Sequence, residues 1–248
     1  MISRRQFLSA IGALAAVPVF VRSTQQQNDG RILARVRKPT KSIAPGEHAL
    51  PLKRGRPTLL YVPPSYKTDV PAPIVVVLHG ATGAGVNQLA RYRAYAEQFG
   101  AVVLAPSSEG VTWDAIRGDF DADCLHIDAA LDYVFDRCAI DATRVAIAGF
   151  SDGASYALSL GLINGQLFTH AVAFSPGFII PGERARKPAI FIAHGTQDEI
   201  LPIDRCGRPI ARDLRAAGYA VDFREFNGGH QMLETMMPDA ATFMRWKS

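Results

Sequence analysis

Five short runs in this 248-residue chain are apolar almost throughout and stop at glycine or serine: "PIVVVLHG", "AVVLAPSS", "RVAIAGFS", "HAVAFSPG" and "PAIFIAHG". Runs of this length with no polar alternation suit strands buried on both faces. The segments between them have helical length and spacing: Asn87 to Gln98, 122 to 138, "SYALSLGLI" and "IDRCGRPIARDLRAAG". Strands alternating with helices dictate an α/β fold, a mostly parallel central sheet with helices on both faces. "RILARVRK" and "RPTLLYVPP" read as two earlier short strands with turn-rich "PTKSIAPGEHALPLKRG" between them. "AVDFREFNG" reads as a late strand, and Asp239 to Trp246 as a closing helix. No stretch is long enough to add a large cap domain.

Charge narrows the class further. Residues 1 to 22 hold Arg4, Arg5 and Arg22 and no acidic residue; without them the formal charge of +4 falls to 24 basic against 23 acidic residues. That balance gives no basic footprint for nucleic acid, and the charges of "RILARVRK" read as strand-edge charge. "MISRRQFLSAIGALAAVPVFVRS" has a charged start and a modest apolar run, the layout of an export signal. Its "SRRQFL" resembles the twin-arginine motif. The expected layout is therefore a signal over 1–24, a polar linker over 25–30 and one domain over 31–248. The expected location is the periplasm or outside the cell, with an inner-membrane tether if the leader stays attached. The expected partner of the precursor is the twin-arginine export machinery.

In an open parallel sheet, ligands bind beyond the carboxyl ends of the strands. Four strands here end in chemically capable residues: His79-Gly80, Ser151, His194-Gly195 leading to Asp198, and the loop Gly228-Gly229-His230. Ser151 lies in Gly149-Phe150-Ser151-Asp152-Gly153, between a strand and a helix, the context in which G-x-S-x-G forms a sharp turn that lifts a nucleophile above the sheet. Serine needs a base, and the base needs an orienting acid. Of six histidines, His230 in its glycine-flanked loop suits the base. His126 falls in a helix and His170 at a strand start, while His79 and His194 suit loop-shaping hydrogen bonds. Asp198 suits the acid; Glu199 is its neighbour, Asp204 reads as a helix N-cap, and Asp222 lies within a strand. An oxyanion needs preorganised donors. The backbone N–H of Asp152 is one, and the "HGATGAG" loop supplies the other through Ala81, with Thr82 next. That loop lacks the Gly-Lys-Ser/Thr ending of a nucleotide loop.

Trp113, in "SSEGVTWDAIRGDF", is a candidate wall of the acyl site. The three cysteines show no metal spacing. Cys124 and Cys138 would stand roughly 21 Å apart on one helix, beyond the ~7 Å reach of a disulfide. The chemistry needs no metal and no organic cofactor.

"LYVPPSY", "VVVLHGATG", "IDATRVAIAGFSDGASYALSL", "FSPG", "HGTQDEILPID" and "FNGGH" together resemble the α/β-hydrolase superfamily over nearly all of 31–248. The nearest resemblance is to bacterial serine esterases of the phospholipase/carboxylesterase group, with polyhydroxybutyrate depolymerase and feruloyl esterase-like enzymes as neighbours. The resemblance implies an α/β-hydrolase fold and a serine hydrolase that cleaves small carboxylic esters through Ser151, Asp198 and His230. A thioesterase or a peptidase on the same fold is the alternative, and a non-catalytic hydrolase-like binding protein an alternative of another class. Ala154 stands where many depolymerase-like members have a second glycine. Asp152 adds a carboxylate with no assigned role.

Overall fold

The computed structural model describes residues 29–52, 56–184 and 186–246. The expected export signal and most of the expected linker lie outside the described residues. Eight strands form one sheet in the order β1-β2-β4-β3-β5-β6-β7-β8. They are β1 (Gly46–Ala49), β2 (Leu59–Val62), β3 (Ala72–Leu78), β4 (Val102–Ala105), β5 (Ile140–Phe150), β6 (His170–Phe174), β7 (Ala189–Gly195) and β8 (Val221–Phe226). The pairings from β4 through β8 are all parallel, and only β1 and β2 run antiparallel to their neighbours.

The helices are α1 (Gly85–Phe99), α2 (Asp114–Arg117), α3 (Ala122–Phe135), α4 (Asp152–Ile163), α5 (Gly207–Ala216) and α6 (Met237–Phe243). Period-two alternation sorts each strand between the two faces. Ile74, Val76 and Leu78 of β3, with Val145 and Ile147 of β5, pack under α3, α4 and α5. Val75 and Val77, with Ala146 and Ala148, pack under α1 and α6. This is the mostly parallel α/β-hydrolase sheet with covered faces.

Three local expectations change. "RILARVRK" is not a strand: residues 31–39 carry no regular structure. The segment does alternate, with Ile32 and Ala34 buried, but it lies on helices instead of a sheet edge. Asn164 accepts the Ile32 N–H at 2.8 Å, and Asp128 accepts those of Leu33 and Ala34 at 2.7 Å each. Of its charges, Arg37 pairs with Asp132 of α3, while Arg35 donates to the arm's own Ile32 and Ala34 carbonyls. Conversely, β1 forms inside the stretch read as turns, because β2 offers it an antiparallel partner. Asp204 is not a helix cap: α5 starts at Gly207, and Asp204 in the preceding turn pairs with Arg208 at 2.5 Å.

Chain order reverses at β3. The chain leaves β3 through α1 to reach β4 on one side, then returns to β5 on the other. Loops diverge to opposite faces at such a switch point and leave a crevice between them. Residues 79–84 and Ser151 flank that crevice.

Candidate active site

The turn at Ser151 is a packing necessity. The residue adopts φ 57° and ψ −122° between β5 and α4, and its N–H is fixed to the Phe174 carbonyl at 2.9 Å. A side chain at Gly149 would collide with the Gly153 carbonyl, and one at Gly153 with the carbonyls of Leu78 and His79. Glycine at minus two and plus two thus lets α4 start directly over the end of β3. The positive φ at Ser151 costs on the order of 1–3 kcal/mol and is held by this surrounding framework.

His230 reaches Ser151 from the far edge of the sheet. Its Nε2 lies 2.9 Å from Ser151 Oγ, and its Nδ1 lies 2.7 Å from Asp198 Oδ2. With the carboxylate ionised, Nδ1 carries the proton and donates, so Nε2 accepts from the serine hydroxyl. The loops after β7 and β8 are stitched together to bring this about: Thr196 N–H donates to Phe226 O and Gln197 N–H to Gly228 O, both at 2.9 Å. Phe150 packs against the His230 ring at 4.9 Å between centroids.

Asp198 is 4% exposed, so its charge depends on local partners. Oδ1 accepts the N–H groups of Ile200 at 3.0 Å and Leu201 at 2.8 Å. Burial pushes the carboxyl up, but the Leu201 N–H, the His230 hydrogen bond and the two neighbouring imidazoles outweigh it, and its pKa falls below the ordinary value. Such donors favour the charged form. His194 Nε2 sits 3.2 Å from the same Oδ2 and donates to the Leu201 carbonyl at 2.8 Å.

Thr82 N–H already donates to the Val111 carbonyl at 2.6 Å, at a residue with φ 62°. It is therefore engaged, while Ala81 stands exposed one residue earlier. Asp152 opens α4, where the first N–H groups of a helix have no partner within it. His79 ties the loops together: Nδ1–H donates to Gly80 O at 2.8 Å and Nε2 accepts Ser108 N–H at 3.0 Å. Trp113, the candidate acyl-site wall, packs inward. It is 1% exposed, donates through Nε1 to the His79 carbonyl at 2.8 Å, and stacks on Tyr156. Burial pushes the Cys138 thiol up to about 12, which makes it inert as a nucleophile at neutral pH. Among the described residues no cluster of His, Cys, Asp and Glu could hold a metal, and no helix is long and apolar enough to cross a membrane.

A doubly covered parallel sheet with a Ser-His-Asp constellation above its carboxyl edge defines an α/β-hydrolase. Residues 114–248 match the phospholipase/carboxylesterase family, and the chain belongs to it. A curated relative, poly(3-hydroxybutyrate) depolymerase of Ralstonia pickettii, is 32% identical over 117 residues, covering 38% of this chain and 23% of that protein's length. In fold the chain is similar to fluorophosphonate-binding serine hydrolase F of Staphylococcus aureus, with TM-score 0.67, 16% identity and coverage of 83% and 100%. It is also similar to the acetyl xylan esterase of Aspergillus awamori, with TM-score 0.63, 16% identity and coverage of 82% and 100%.

Proposed function

We propose that this protein is a serine hydrolase acting on small carboxylic esters through an acyl-enzyme. Ser151 Oγ attacks the ester carbonyl as His230 Nε2 takes its proton. The tetrahedral oxyanion is received by the N–H groups of Ala81 and Asp152. His230 then protonates the departing alcohol, and Asp198 stabilises the imidazolium. Water, deprotonated by the same imidazole, attacks the acyl-Ser151 carbonyl; the acyl–Oγ bond breaks, His230 returns the proton to Ser151 Oγ, and the acid leaves. Membership of the phospholipase/carboxylesterase family supports ester chemistry, as does a relative named for depolymerising poly(3-hydroxybutyrate).

The observation that carries this reading is the single imidazole bonded to Ser151 on one nitrogen and Asp198 on the other. Ser151→Ala is expected to abolish turnover of p-nitrophenyl acetate and labelling by a fluorophosphonate. Turnover equal to that of the parent protein refutes the nucleophile, and a protein that never reacts with either reagent is a binding module instead. Export by the twin-arginine route is part of the same proposal. Replacing both Arg4 and Arg5 by lysine should leave the precursor in the cytoplasm on fractionation, and unaltered export refutes that route.

A further inference from the structure

The Asp152 carboxylate takes no part in the steps above. It lies in the first turn of α4, where a negative charge is favoured by the helix terminus, and its Oδ2 accepts the Thr112 hydroxyl at 2.6 Å. Thr112 is buried and belongs to residues 106–113, the loop between β4 and α2. That loop is fastened on its other side to the strand end carrying the second oxyanion donor. The Val111 carbonyl accepts Thr82 N–H at 2.6 Å, Ser108 N–H donates to His79 Nε2 at 3.0 Å, and Trp113 Nε1–H donates to the His79 carbonyl at 2.8 Å. Its back is anchored by Asp123, which accepts the N–H groups of Glu109 and Asp114 at 2.8 Å each.

Residues 79–82 and residues 151–152 therefore hang from one loop, and on the second side the side-chain tie is Thr112 to Asp152. We infer that this loop is a brace for the oxyanion hole and that Thr112 is a positioning residue, holding the Asp152 N–H at a set distance from that of Ala81. The inference rests on the serine hydrolase reading. Donors stabilise a developing oxyanion only when already in place, and a displacement of about 1 Å is enough to cost catalysis. The hydroxyl also occupies the carboxylate.

Thr112→Val is isosteric and removes only the donor. It is expected to lower kcat for p-nitrophenyl acetate about 10-fold with KM nearly unchanged. Affinity for a trifluoromethyl ketone, which forms a tetrahedral adduct, should fall by a similar factor, while the melting temperature drops by only a few degrees. Thr112→Ser should restore both kcat and adduct affinity. Asp152→Ala approaches the bond from its other end and should match Thr112→Val, the double variant losing no more than either alone because the two act through one contact. Full kcat and full adduct affinity in Thr112→Val, beside an inactive Ser151→Ala, overturn the brace and leave the hydrolase standing. Parallel loss of KM, adduct affinity and melting temperature, unrescued by serine, also overturns it. Turnover by Ser151→Ala overturns the parent reading and the brace with it.

Discussion

At Ser151 the backbone is held where few L-residues rest, and the two flanking glycines make that possible. Gly153→Ala would push a methyl into the carbonyls of Leu78 and His79. The collision involves backbone on both sides and cannot be relieved by a rotamer change. A loss of about 4 kcal/mol or more is expected in urea denaturation, and a wild-type midpoint would contradict the packing argument. Asp198→Asn keeps the size of the side chain and its bonds to the Ile200 and Leu201 N–H groups, but an amide cannot hold the His230 tautomer as a carboxylate does. A fall in kcat of about 10³–10⁴-fold is expected, with folding retained by circular dichroism. Equal activity would remove Asp198 from the mechanism. His194 was legible as a loop-shaping hydrogen bonder, and it donates to the Leu201 carbonyl; its 3.2 Å approach to Asp198 exists because the turn after β7 folds back on itself.

The N-terminal arm shows how an element can be mistaken while its pattern is read correctly. Residues 32 and 34 alternate inward as a strand would, yet their N–H groups end on the side chains of Asn164, just past α4, and Asp128 of α3. Nothing local distinguishes a strand edge from a groove between helices, since both satisfy the same donors. Asp128→Ala removes the acceptor for the N–H groups of Leu33 and Ala34. It should cost about 1–3 kcal/mol and speed amide exchange at Leu33 and Ala34 while the sheet stays protected. Unchanged exchange there would show that burial of Ile32 alone secures the arm. At the far end of the arm Asp136 takes the side chains of Lys41 and Thr40. Its hydrogen bond from Lys41, followed by that from Thr40, depresses its pKa to about 2.

For the whole molecule, buried titratable groups set the response to acid. Burial lowers the pKa of His79 and His194 and takes His170 down to about 4. The unfolded chain binds protons near pH 6.5 that the folded chain still refuses, so these three weaken the fold as pH falls from about 6.5 towards 4. Asp123 acts in the opposite sense. Burial raises it to about 6, so the folded state takes its proton first and gains relative stability as pH falls from about 6 to 4. His170→Gln should flatten the acid loss of stability, read as the urea midpoint from pH 7 to 4. An unchanged slope would mean His170 titrates normally.

Ser151, Asp198 and His230 could be chosen from the chain alone because each follows a strand, and strand ends in a parallel sheet share one edge. Apolar runs, glycine spacing and chain order carried that information, since burial on both faces and a turn without room for Cβ are local demands. Which edge partner β1 would find, that Trp113 would turn inward, and that Thr112 would meet Asp152 forty residues away were decided only by tertiary packing. Such contacts depend on where two distant loops come to rest over the sheet, and no pattern within either loop encodes that separation.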